Sequence, residues 1–88
     1  MSSTEMKILY FARVRQIAGK SAEDVDVPAD VATVLDLMAF LSDRDPAVAA
    51  ALADRRTIRA AIDQSHAPLE ATIQGASEVA FFPPVTGG

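Results

Sequence analysis

The segment Glu78-Val79-Ala80-Phe81-Phe82 runs directly into Pro83-Pro84, and no other feature restricts the fold as much. Proline holds φ at about −65° and has no N–H to give to a sheet ladder. A strand of β-formers must stop at Phe82, and the chain beyond it must leave the sheet. Val85-Thr86-Gly87-Gly88 comes after the two prolines. Glycine has no Cβ, so such a tip can pass through a narrow channel. The tail from Pro83 to Gly88 reaches about 20 Å at most when extended. A rigid stem with a slim, carboxylate-ended tip suits a group delivered into another protein's active site. A Gly-Gly pair alone is weak evidence, because most termini carry no function. The Phe-Phe-Pro-Pro-Val stem ahead of it makes the pattern far more specific.

The chain behind this tail is short and about half apolar, which predicts one folded domain with a small core. It has no cysteine, which removes disulfides, thiolate metal sites, iron–sulfur clusters and a cysteine nucleophile. The net charge of −4 argues against nucleic acid as a partner. The six arginines (Arg13, Arg15, Arg44, Arg55, Arg56 and Arg59) form no stripe along the sequence. No segment approaches the roughly 20 apolar residues of a membrane span, and Ile8 to Ala12 is too brief for a secretion signal. The expected location is the cytoplasm, with no membrane partner. Residues 1–5 read as a flexible N-terminal extension, 6–82 as the folded domain and 83–88 as an extended, flexible tail.

Within the domain, Met6 to Ala12 reads as a strand and Gly19-Lys20-Ser21 as a turn. Asp24 to Val27 alternates and ends at Pro28, which predicts an antiparallel hairpin with the first strand. Thr33 is a good helix N-cap, and Asp36 completes a capping-box pair. Val34, Leu37, Met38 and Leu41 form one apolar stripe, with Phe40 near the core. Asp45-Pro46 starts a second, short, alanine-rich helix anchored at Val48 and Leu52. Thr57 to Ile62 reads as a strand, with Ile58, Ala60 and Ile62 on one face and Arg59 on the other. Asp63-Gln64-Ser65 is a turn, and residues 67–77 are irregular, with Leu69 and Ile73 plugging the core. The fold class is therefore α+β: a mixed sheet covered on one face by one main helix.

The segments Lys7-Ile8-Leu9-Tyr10-Phe11-Ala12-Arg13-Val14-Arg15 and Glu78 to Gly88 resemble the two ends of the molybdopterin synthase small-subunit family. This is the ubiquitin-like, β-grasp sulfur-carrier family of molybdenum-cofactor biosynthesis. The resemblance runs over nearly the whole chain from Met6 and is sharpest at the ends. Ala60-Ala61-Ile62-Asp63-Gln64 is similar to the family's third-strand pattern, which more often has Asn at the place of Asp63. Where the family tends to have Asp-Gly-Asp-Glu, this chain has Gln74-Gly75-Ala76-Ser77-Glu78.

The resemblance implies a cycle on Gly88. An adenylyltransferase related to ubiquitin-activating enzymes would consume ATP and join Gly88 to AMP. A sulfur donor, such as a cysteine desulfurase or a rhodanese, would replace AMP and leave a C-terminal thiocarboxylate. The charged tail, Pro83 to Gly88, would then enter the large subunit of a heterotetrameric synthase. There its sulfur would attack a pyranopterin precursor to build the dithiolene. The small subunit would bind no cofactor and supply no acid or base; it is not an enzyme on its own.

A second site comes from alternation. If Ile8, Tyr10, Val79 and Phe81 face the helix, then Leu9, Phe11 and Phe82 face away and offer an interface to the large subunit. His66 is a lone histidine and reads as a surface or turn residue, since a metal needs several ligands. The carboxylates Glu23, Asp24, Asp26, Asp30, Asp36, Asp43, Asp45 and Asp54 read as caps and solvated faces. Three other functions fit the same residues: a thiamine or tRNA-thiolation sulfur carrier, a ubiquitin-like modifier joined to lysines, and a binding module with an inert tail.

Overall fold

The computed structural model describes residues 3–84. The five-stranded mixed sheet is built from β1 (Ser3–Tyr10), β2 (Ala22–Pro28), β3 (Arg59–Ile62), β4 (Ser65–Ala67) and β5 (Glu78–Phe82). Its spatial order is β2-β1-β5-β3-β4. The last strand lies between the first and the third, parallel to β1 and antiparallel to β3. Helices α1 (Ala12–Ala18), α2 (Val34–Arg44) and α3 (Pro46–Ala51) and a 3₁₀ turn (Arg55–Thr57) complete the fold.

The core forms where α2 lays its stripe on the sheet. Val34, Leu37, Met38 and Leu41 are all buried. Each such side chain contributes roughly 2 kcal/mol of burial. They meet Ile8, Tyr10, Val79 and Phe81 on the central parallel pair, where the Tyr10 and Phe81 rings stack with centroids 6.2 Å apart. Phe40 packs against this core from its edge, with the Arg44 guanidinium 5.7 Å from its ring centre. The capping box forms as expected: Thr33 Oγ1 accepts from the Asp36 N–H, and Asp36 Oδ2 accepts from the Thr33 N–H. Asp45 ends α2 and caps α3, its Oδ1 accepting from the Ala47 N–H at 2.9 Å. Val48, Leu52 and Ile73 are buried, and Leu69 packs against the core.

The structure corrects the sequence reading at several places, among them the strand expected from Thr57, which begins only at Arg59 because Thr57 closes a 3₁₀ turn. The first strand begins at Ser3, so Ser3 to Glu5 pair with Asp26 to Pro28 rather than forming an extension. It ends at Tyr10, not at Ala12. The connection to β2 holds a helix, α1, that the turn reading of Gly19-Lys20-Ser21 passed over. Ala12 turns the chain with φ of 53°, and Gly19, at φ 77°, closes the helix by donating to the Arg15 carbonyl. Finally, Asp63 and Gln64 alone form the turn between β3 and β4, both at positive φ (49° and 74°). Ser65, expected in that turn, already pairs with Ile62, and β4 extends through Ala67.

Candidate functional site

The place where β5 ends is the most constrained exit in the molecule. Tyr10 is in register with Phe81 on one side, and Arg59 with Phe82 on the other. One residue beyond β1, the Phe11 N–H still donates to the Phe81 carbonyl at 3.0 Å. The strand is thus clamped along both edges up to the residue before Pro83. Pro83 and Pro84 are half-buried and lie outside the sheet ladder. A sheet centre is the stiffest mount available for a projecting segment, because neither neighbouring strand can release it without breaking a ladder. Gly88, with Val85, Thr86 and Gly87, lies outside the described residues, so the structure speaks only for the root of the tail.

At the other end of β5, Asp63 sits at the β3–β4 turn and reaches across. Its Oδ1 accepts from the N–H groups of Ser77 (2.9 Å) and Glu78 (3.0 Å). The Asp63 N–H donates back to the Glu78 carbonyl at 2.9 Å. An acceptor side chain is required here whether the residue is Asp or Asn.

The sheet face turned away from α2 carries a connected apolar row. Leu9, Ala80 and Ala61 lie side by side on β1, β5 and β3, and His66 continues the row on β4. Ala80 and Ala61 are 5% and 7% exposed although they lie outside the main core. Leu9 and Phe82 are half-buried, and the His66 ring lies 5.1 Å from that of Phe82. Phe11 is 48% exposed, the most exposed large apolar side chain among the described residues. Its extended backbone (φ −124°, ψ 154°) keeps the strand's alternation and so places it on the face of Leu9. The three residues picked out by alternation therefore do share one face. Sequence reasoning missed Ala61, Ala80 and His66 there. The alanines form a flat floor between larger neighbours, and His66, exposed as expected, sits in a strand against Phe82 and not in a turn.

The family model described as ThiS family matches residues 8–88. The chain belongs to the ThiS family. It is 39% identical over 83 residues to the Escherichia coli molybdopterin synthase sulfur carrier subunit, covering 94% of this chain and 99% of that one. It is 35% identical to the Haemophilus influenzae protein of the same name, with the same coverage. Among solved structures it is similar to SAMP1 from Haloferax volcanii, with a TM-score of 0.71 and 31% identity over 97% of this chain and all of that one. These likenesses establish the ubiquitin-like architecture expected from the sequence. Among the described residues, no helix is long and apolar enough to cross a membrane.

Proposed function

We infer that this chain is the sulfur-carrier subunit of a molybdopterin synthase, with Gly88 as the carrier group. The observation that carries this reading is its near full-length kinship to carrier subunits of that name. The geometry supports it, since a strand clamped on both edges ends at two prolines that lie outside the sheet ladder. In the cytoplasm an adenylyltransferase spends ATP to activate the Gly88 carboxylate as an acyl-adenylate. A free carboxylate transfers poorly because oxide is a bad leaving group, whereas AMP leaves readily. The terminal sulfur of a persulfide on a cysteine desulfurase or rhodanese attacks the acyl-adenylate and displaces AMP, forming an acyl disulfide; a thiol then reduces its S–S bond, leaving the thiocarboxylate on Gly88 and a disulfide on the donor. The tail, Pro83 to Gly88, then carries that sulfur into the large subunit, where confinement raises its effective concentration beside the pterin. Catalytic acids and bases come from the large subunit, and this chain binds no cofactor of its own. Leu9, Phe11 and Phe82 supply the apolar contact that docks it.

The test is the intact mass of the protein after incubation with ATP, its adenylating partner and a sulfur source. Exchange of one oxygen for sulfur at Gly88, together with rescue of molybdoenzyme activity in a strain lacking its carrier, supports the reading. Normal dithiolene synthesis with Gly88 deleted overturns it. The likeness to SAMP1, described in a second structure as small archaeal modifier protein 1, favours one other reading: attachment of Gly88 to lysines of target proteins. Conjugates that survive denaturing, reducing conditions mark that fate.

A further inference from the structure

An activated Gly88 is an electrophile, and the first nucleophiles it can meet are those of its own chain. An acyl-adenylate acylates an amine as well as a sulfur nucleophile. The neutral amine attacks the carbonyl carbon and a C–N bond forms. The bond to the phosphate oxygen breaks, AMP leaves, and the amine proton passes to solvent. The product is a stable amide that can no longer take up sulfur. The side chains near the tail root therefore decide whether the activated group survives. The chain has six arginines, two lysines and no cysteine, and their placement is uneven. Arg13 shares a groove with Pro83, and Arg59 stands in register with Phe82, the last residue of β5. Both arginines are exposed, and a tail that reaches about 20 Å can pass either of them.

A guanidinium stays protonated and is no acyl acceptor, whereas a lysine amine is one whenever it loses its proton. Both positions use the positive charge. The Arg56 side chain, then the Arg56 N–H, hold the Asp54 carboxyl below its usual range, with a smaller pull from Arg13. Arg59 donates to the Ile58 carbonyl at 3.1 Å. Lysine supplies the same charge but adds a nucleophile. The two lysines present stand in different settings. Lys20 Nζ donates to Asp45 Oδ2 at 2.9 Å and to Glu23 Oε1 at 3.3 Å. The Asp45 bond above all favours its ammonium form, which has no electron pair to give. Lys7 is in register with Glu78, about 13 Å along β5 from Phe82. The His66 ring does lie 5.1 Å from that of Phe82. An acyl-imidazole hydrolyses, however, and returns the free carboxylate, so His66 leaves no lasting product.

We propose that Arg13 and Arg59 are specificity-determining residues: arginine in place of lysine at these two positions keeps the activated Gly88 from being captured by its own chain, so that sulfur is the nucleophile it meets. The proposal rests on the sulfur-carrier reading. The experiment incubates the full chain with ATP and the purified adenylating enzyme of the same organism, with no sulfur source, at mildly alkaline pH. AMP release and intact mass are followed together. Arg13→Lys, Arg59→Lys and the double variant should accumulate a species lighter than the free acid by one water, at about tenfold or more the wild-type amount, because the new amine attacks from within the same molecule. The fraction formed should not change on dilution, and peptide mapping should join Gly88 to the substituted position. Arg13→Gln and Arg59→Gln remove the charge without adding an amine and should match the wild type. Thermal melting should show all variants folded. If the lysine variants release AMP yet form no more of the water-loss species than the wild type, the proposal is overturned. The same holds if the glutamine variants form as much as the lysine variants. If the wild-type chain releases no AMP at all, the carrier reading itself fails and takes this inference with it.

Discussion

The Tyr10 hydroxyl donates a 2.7 Å hydrogen bond to Glu23 Oε2, joining the buried centre of the sheet to its edge. Glu23 Oε1 in turn pairs with Lys20 at 3.3 Å and with Arg44 at 3.8 Å. Burial first, and the Glu23 carboxylate second, push the Tyr10 phenol above its ordinary value. A raised value means that the neutral phenol is favoured in the folded state. Its stabilisation is complete below the unfolded pKa of about 10 and is lost as pH rises beyond it. Tyr10→Phe should therefore flatten the alkaline limb of the stability profile. At neutral pH it should cost about 1–2 kcal/mol, because it removes a hydrogen bond to a charged acceptor. Urea melts at neutral and alkaline pH measure both effects.

Asp45 is the next link in the same network, receiving Lys20 Nζ at 2.9 Å on Oδ2 and the Ala47 N–H on Oδ1. The Lys20 bond first and the Ala47 bond second hold its carboxyl below the usual range. A lowered value stabilises the fold above the unfolded pKa, and that contribution disappears as pH falls through the folded one. Asp45→Asn keeps the helix cap and removes the charge, so it should lower the melting temperature at pH 7 and shallow the acid limb. Asp45→Ala loses the cap as well and should melt lower than Asp45→Asn at every pH. Thermal melts from pH 7 to pH 3 check the ordering.

Asp63 carries both a positive φ and two backbone donors from the start of β5. Asn tolerates that backbone and offers the same carbonyl oxygen. Asp63→Asn should leave stability nearly unchanged. Asp63→Ala strands the Ser77 and Glu78 N–H groups and should cost about 2 kcal/mol. Hydrogen exchange at those two amides, read beside the urea midpoint, separates local fraying of β5 from global loss.

The features legible in the sequence were the local ones. The Thr33–Asp36 capping box, the Val34-Leu37-Met38-Leu41 stripe and the proline stop after Phe82 each declare themselves within a few residues. Helix α1 did not, because it has no side-chain cap at Phe11 and starts from a positive φ at Ala12, which alanine does not announce. Its one mark was Gly19, which serves a turn as well as a helix end. Strand β4 is three residues long, too short for a period of two to show. Leu9 and Phe82 could be assigned to the outer face by alternation alone. Ala61, Ala80 and His66 join them only once β5 is known to lie between β1 and β3. Arg13 and Asp54 are distant in sequence, and only the fold sets them in one groove with Pro83.

The outer face offers the most direct check of docking. Phe82 packs on His66 and stands next to the tail root, and Phe11 is exposed beside it, so both rings can be buried by a partner without moving the core. Aromatic side chains at the centre of an interface dominate its energetics. Phe82→Ala and Phe11→Ala should each weaken the complex with the large subunit by about tenfold or more. Neither should disturb folding much, because the core rings Tyr10 and Phe81 lie on the opposite side of the same strands. Calorimetric titration against the large subunit, with melts of the free variants, measures the two quantities apart. Wild-type affinity in both variants would remove these residues from the interface, and a collapse of melting temperature would show them to be structural. Loss of affinity with an intact fold is the outcome that an apolar docking face beside the clamped end of β5 requires.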